Sequence, residues 1–382
     1  MQREISLDSL RGLALVLLAI NHLNSHLVIV AYQPIGFISG LELLVFVSGL
    51  VTGIIYNPAS LQKRQMSMWQ RALFRAKDIY LMHMAVVILL VIIALPFYDF
   101  LAQYFPWTTL LYHDAWTRIA LSGSLLNQPA FLGVLPMYLI FMFLIPFVMQ
   151  QLEQGRVILV LLLSGSVWMV TQLGVTIDGL LSALLPDSIP VHTAAFDILS
   201  WQFLFILGIS VGFWRRTHQT ESCIPPRNSL LLICLGLSAI FFIIYHGHRI
   251  VEHEKLGHYV PPLIAQIDQW ITQLIDWDFW TERHNLAPLR LLNFIVAAYV
   301  IAKLNNRFPE LFNWSWLAWL GQHALQVYAF HQLVVFAAAP LQIHKMSFLS
   351  DTLITITLLA TLSIPAWIHQ HYREYLRRKT TR

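Results

Sequence analysis

The sequence predicts an all-α, polytopic membrane protein of about ten transmembrane helices, and three observations predict it. First, 57% of its 382 residues are hydrophobic and only 12% charged, against about 25% charged in an ordinary soluble domain. Mean hydropathy is +0.62. Second, apolar windows long enough to cross a bilayer recur along the whole chain, at about 7–24, 39–56, 78–96, 130–149, 157–174, 196–214, 229–246, 286–303, 316–338 and 351–369. Third, the basic residues sort to alternate loops. With the N-terminus in the cytoplasm, 18 of the 24 lysines and arginines fall on the inner side, as the positive-inside rule requires.

The first window carries His22 and Asn24 after its apolar run and has no small-residue cleavage site, so it reads as a retained helix rather than a signal peptide. A basic linker, NPASLQKRQMSMWQRALFRAK, joins the second and third. The basic tail at about 370–382 and an even number of spans agree in placing both termini inside. Residues 97–118 and 260–282 mix aromatic and acidic residues, including Trp107, Trp116, Trp270, Trp277 and Trp280. Such segments suit amphipathic helices at the outer interface; their tryptophans could also stack on sugar rings. No repeat or low-complexity tract divides the chain, so one membrane domain over 1–382 is expected. Cys223 and Cys234 make neither a disulfide framework nor a zinc cluster.

Ionisable groups inside membrane helices are expensive and mark functional sites. Arg11 and His22 lie eleven positions apart. That is about three helical turns, which places both on one stripe roughly 16 Å apart. Asp8, three residues before Arg11, shares that stripe and is the expected structural partner of Arg11. His22 suits a general base acting on a hydroxyl. Glu42, near the start of the second helix, is expected to face His22 and orient it. Ser48, Gly49 and Gly53 form a small-residue stripe expected to pack closely on another helix. Arg71, Arg75 and Lys77 open the third helix. Arg71 and Arg75, four apart, share a face and suit a phosphate clamp, although the positive-inside bias alone explains them as well. His331 lies within the ninth span with Tyr328 and His323 on preceding turns, and can line the same cavity as His22. His83 reads as a structural hydrogen bond. The histidines of HGHRIVEHEKLGH (His246, His248, His253 and His258) match no strong zinc spacing, so no metal is expected.

Together, LDSLRGLALVLLAINHL, LELLVFVSGLVTGIIY, RALFRAKDIYLMH, LPMYLIFMFLIP, WQFLFILGISVGF and LGQHALQVYAFHQL resemble the OpgC-type glucan succinyltransferases over nearly the whole chain. More broadly, the Arg-x10-His spacing resembles the acyltransferase-3 family of membrane enzymes. The resemblance implies a bacterial inner-membrane protein that moves an acyl group from cytoplasmic acyl-CoA (succinyl-CoA or acetyl-CoA) to a hydroxyl of a periplasmic glucan or another surface polysaccharide. It assigns Arg11 and His22 to the family motif and His331 to a SLxIYLxH-like stretch, here ALQVYAFH. It sets Arg71 and Arg75 where the broader family carries an arginine pair, commonly spaced x2 and here x3. Membrane lipids are expected contacts; nucleic acid is not. The residues alone leave other functions open: a secondary transporter or lipid-linked sugar flippase, or a non-catalytic subunit of a polysaccharide machine.

Overall fold

A computed structural model describes residues 4–61, 66–97, 101, 111–219, 228–252, 260–274 and 276–380. Apart from single-turn pieces, its helices are α1 (Ile5–Leu23), α2 (Gly40–Tyr56), α3 (Met68–Ala94), α4 (Leu111–Gly123), α5 (Val134–Glu153), α6 (Val157–Gln172), α7 (Ile177–Leu184), α8 (Ile198–His218), α9 (Asn228–Val251), α10 (Pro262–Leu274), α11 (Trp277–Thr281), α12 (Pro288–Arg307), α13 (Ser315–Gln322), α14 (Ala324–Ala338), α15 (Phe348–Thr361) and α16 (Ser363–Thr380). No strand occurs among the described residues. The fold is all-α and polytopic, as the sequence predicts.

Each of the ten apolar windows falls on helix. Among the described residues, eight helices are long and apolar enough to cross a membrane, and the α6–α7 pair makes a ninth if its 74° bend is counted within one span. The second window, α2, is shorter at 17 residues. The break between α6 and α7 holds Gly174, whose φ of +88° is open to glycine and strained for other residues.

Helix ends depart from the windows where capping overrides hydropathy. The third helix begins at Met68 because Ser67 and Gln70 form a capping box. The Gln70 amide N–H donates to the Ser67 hydroxyl at 3.2 Å, and the Ser67 N–H donates to Gln70 Oε1 at 3.0 Å. Arg71, Arg75 and Lys77 therefore lie in its first turns. The ninth window is two helices, α13 and α14, broken at His323. The predicted tail continues as helix through α16.

The first helix is central. It packs on α2, α13 and α14, while α3 bridges α5 and α14. By contrast, only 17% of the α9 window is buried, so α9 lies at the periphery against α12. Apolar side chains such as Ile158, Leu162 and Leu163 of α6 are exposed, as suits a face solvated by hydrocarbon.

The most extensive helix pairing joins α2 to α8, and the small-residue stripe explains it. Gly49 and Gly53 of α2 meet Gly208 and Gly212 of α8 backbone to backbone. A methyl at Gly53 would run into the Ile209 carbonyl, and one at Gly212 into the Leu50 carbonyl. Without a hydrophobic drive between helices in lipid, such close approach is what holds them together. Gly53→Ala and Gly212→Ala are each expected to destabilise the fold by roughly 1–3 kcal/mol through overpacking. Thermal unfolding of each variant in detergent checks this; wild-type stability would show that the two backbones can separate without cost.

Candidate active site

His22, in the last turn of α1, meets α14 side chain to side chain. Its Nδ1 lies 3.1 Å from Nε2 of His331, and the two rings lie nearly parallel, 20° apart, with centroids 5.2 Å apart. The amide Nε2 of Gln332 also reaches His331 Nε2, at 3.0 Å. The Phe131 ring stacks on His22 at 4.1 Å. Tyr328, one turn before His331, packs edge-on against it at 4.8 Å. The His22 imidazole is thus fixed in position, with Nδ1 committed and Nε2 making no hydrogen bond to any described residue.

Two cavities approach this group from opposite ends. One, of about 300 Å³, is lined by His22, Asn21, Asn24, Phe131, Gln342 and His344. The other, also about 300 Å³, is lined by Arg11, Ser48, Thr52, Arg75, Tyr138 and Tyr328 among others. A residue of each lining meets the other at the wall between them. Tyr328 lines the second cavity, Phe131 lines the first, and the Tyr328 hydroxyl donates to the Phe131 carbonyl. Phe131 holds that carbonyl in place with a left-handed φ of +66°, an uncommon conformation for a bulky residue.

The end of the bundle at the second cavity is basic. Arg11 stands 3.9 Å from Asp8. Arg75 shares the cavity with Arg11, and its charge, like that of Arg373 on α16, bears on His369. His369 in turn contacts His323, Nδ1 to Nδ1 at 2.8 Å. His323 therefore lies with the basic cluster rather than with His22.

Three residues stand elsewhere than expected. Glu42 does not orient His22. Its carboxylate is wholly buried and saturated elsewhere, by Arg290 at 2.7 Å, by the Ser39 backbone N–H at 2.9 Å and by the Ser39 hydroxyl. It caps α2 and pairs with α12 because a buried carboxylate goes to the nearest guanidinium and free N–H groups. Lys77 does not join the arginines at the cavity. It is exposed, on the helix face of exposed Leu73 and Leu81, because positions four apart share a face. Arg71 does not line the cavity either; one of its terminal nitrogens is buried without a hydrogen-bond partner.

His83 makes a structural bond, with Nε2 3.1 Å from the Ser122 carbonyl. His248 pairs with Asp268 at 3.1 Å. Among the described residues no group of three or more His, Cys, Asp or Glu is placed to hold a metal ion. His253, His258, Trp107 and Cys223 lie outside the described residues, and Cys234 is a buried free thiol.

A family model described as OpgC protein matches residues 3–374. The chain belongs to the OpgC family. The match takes in both cavities, the histidine pair and all but the end of the last helix of this OpgC protein. Membership ties it to glucan modification by a transferase. No curated protein and no solved structure matches it significantly.

Several residues around this candidate site carry little signal in the sequence. Gln332 follows His331 within an apolar span, and its polarity there was a usable signal. Phe131 had no signal, because its role rests on a backbone carbonyl. Arg283, in the loop after α11, carries no signal of its own; it lines a further cavity beside Trp277.

Proposed function

We propose that this OpgC protein is an acyl-CoA-dependent O-acyltransferase of the bacterial inner membrane, with both termini cytoplasmic. It moves a succinyl or acetyl group from cytoplasmic acyl-CoA to a glucan hydroxyl on the outer side. The observation that carries the reading is the His22–His331 pair, across the Tyr328–Phe131 wall from a cavity lined by Arg11 and Arg75. Charge for a phosphorylated donor stands at one end, and a base stands at the other.

In this reading the CoA phosphates rest on Arg11 and Arg75, with Arg373 adding positive field at the mouth. The pantetheine arm runs through the inner cavity toward the Tyr328–Phe131 wall, which opens to admit the thioester. His331 Nε2 accepts from His22 Nδ1–H, so His22 presents an unprotonated Nε2 to the outer cavity. That nitrogen takes the proton of the sugar hydroxyl as its oxygen attacks the thioester carbonyl. The C–S bond breaks, and the same proton passes to the CoA thiolate. Fixing donor, base and acceptor together supplies most of the rate, and the base adds roughly 10²–10⁴-fold.

Purified protein supplied with labelled acyl-CoA and a glucan tests the proposal. Label in the glucan supports it. Uptake into vesicles without transfer favours the transporter reading, and neither result favours the assembly-subunit reading. Within this scheme Arg75→Ala is expected to raise the KM for acyl-CoA roughly tenfold, the loss of one charge-assisted contact. Lys77→Ala is expected to leave that KM unchanged. Equal effects from both would reduce the cluster to a topology signal.

A further inference from the structure

A third cavity, of about 260 Å³, lies at the His22 end of the bundle, between the segment after α1 and the α9–α12 region. It is lined by Tyr32, Tyr245, Trp277, Asp278, Glu282 and Arg283 among others. Its walls are built rather than loose. Trp277 packs on the buried Phe37 at 5.5 Å and on His248 at 4.4 Å. Tyr245 packs on Phe37 at 5.3 Å. Arg290, just beneath, is anchored to the Thr281 carbonyl at 2.9 Å and to Glu42. The rim differs. The side chains of Asp278 and Arg283 make no hydrogen bond or ion pair with any described residue, and Arg283 is half-buried. Glu282 spends one oxygen on the His284 N–H at 2.9 Å; aromatic faces beside the unspent Asp278 carboxylate and a guanidinium are the chemistry that recognises a hydroxylated ring. The apolar ring face packs on aromatic surface while the hydroxyls donate to carboxylate and accept from guanidinium.

We propose that this cavity is the acceptor subsite, holding a sugar ring of the glucan against Trp277 and Tyr32 with its hydroxyls on Asp278, Glu282 and Arg283. A chain seated there delivers a neighbouring hydroxyl to the outer cavity. The proposal rests on the acyltransferase reading for its role, but not for its occupancy.

Binding of a short gluco-oligosaccharide to the detergent-solubilised protein, measured by calorimetry, tests occupancy without any chemistry. Trp277→Ala is expected to weaken binding roughly tenfold, the loss of one stacked ring. Asp278→Asn, at an exposed position where folding is not at stake, is expected to weaken it severalfold. Each variant should raise the acceptor KM in step, with acyl-CoA binding unchanged. Trp270→Ala is the control, because Trp270 is 64% exposed and does not line the cavity; it should leave binding intact. Oligosaccharide affinity unchanged in both Trp277→Ala and Asp278→Asn overturns the subsite, as does an equal loss in Trp270→Ala, which would mark these tryptophans as membrane anchors. Wild-type protein that binds the oligosaccharide through Trp277 yet transfers no acyl group keeps the subsite and overturns the acyltransferase reading.

Discussion

His22→Ala is expected to abolish the proposed acyl transfer while the protein still inserts, folds and binds acyl-CoA. That outcome follows because His22, unlike the exposed His344 of the same lining, is held in the cavity beside Phe131 by His331 through Nδ1. Its loss removes at least the roughly 10²–10⁴-fold contribution of a positioned base, and all of the activity if the imidazole itself carries the acyl group. His331 acts through His22, so His331→Gln, which keeps a hydrogen-bonding side chain, should cost less than His22→Ala. The measurement is transfer of labelled acyl to glucan, normalised to correctly inserted protein, alongside a binding assay for the donor. Transfer by His22→Ala at the wild-type rate would remove His22 from the mechanism. Ping-pong kinetics in the wild type would indicate an acyl-histidine intermediate, and an obligatory ternary complex would indicate direct transfer.

Arg290→Met has the largest expected effect on stability. Arg290 is buried and sits 2.7 Å from the wholly buried Glu42. Its guanidinium also satisfies the Thr281 carbonyl at 2.9 Å and the Phe37 carbonyl. Removing it strands a carboxylate in a low-dielectric interior, which costs about 3–5 kcal/mol. The double variant Arg290→Met with Glu42→Leu should regain part of that loss, since no charge is then left unpaired. Thermal unfolding of both variants, compared with the wild type, reads the difference. Activity per folded molecule separates the two roles weighed for Glu42. If its place is structural, Glu42→Leu in the double variant leaves the folded fraction active. A collapse of kcat at wild-type stability would return Glu42 to the catalytic group.

The helical architecture was legible because burial in a membrane requires long apolar runs with every backbone group satisfied inside the helix. Those runs are written locally. The stripe of Asp8, Arg11 and His22 was legible for the same reason, since a helix converts spacing into direction. The glycines at 49 and 53 announced a close helix contact, though not that Gly208 and Gly212 would form its other half. Partner choice was harder. Glu42 lies near the start of α2, so a short outward loop made His22 its natural neighbour. Arg290, 248 residues away in sequence, outcompetes the imidazole because a permanent guanidinium charge compensates a buried carboxylate better than a neutral ring does. Lys77 was grouped with Arg75 by sequence, and two positions along a helix turn it to a different face.

Residue type and spacing alone establish that this chain is a membrane-embedded helical bundle with a cation and an imidazole on one face of its first helix. Those properties follow from hydropathy and helical period, which act within a single segment. Everything that joins segments had to come from packing. The contact of His22 with His331, the Tyr328–Phe131 wall between the two cavities, the diversion of Glu42 to Arg290 and the gathering of Trp277, Asp278 and Arg283 around one pocket each unite residues far apart in the chain. No local period encodes such meetings. They are selected by the competition among buried polar groups for the few partners that the packed helices bring within reach.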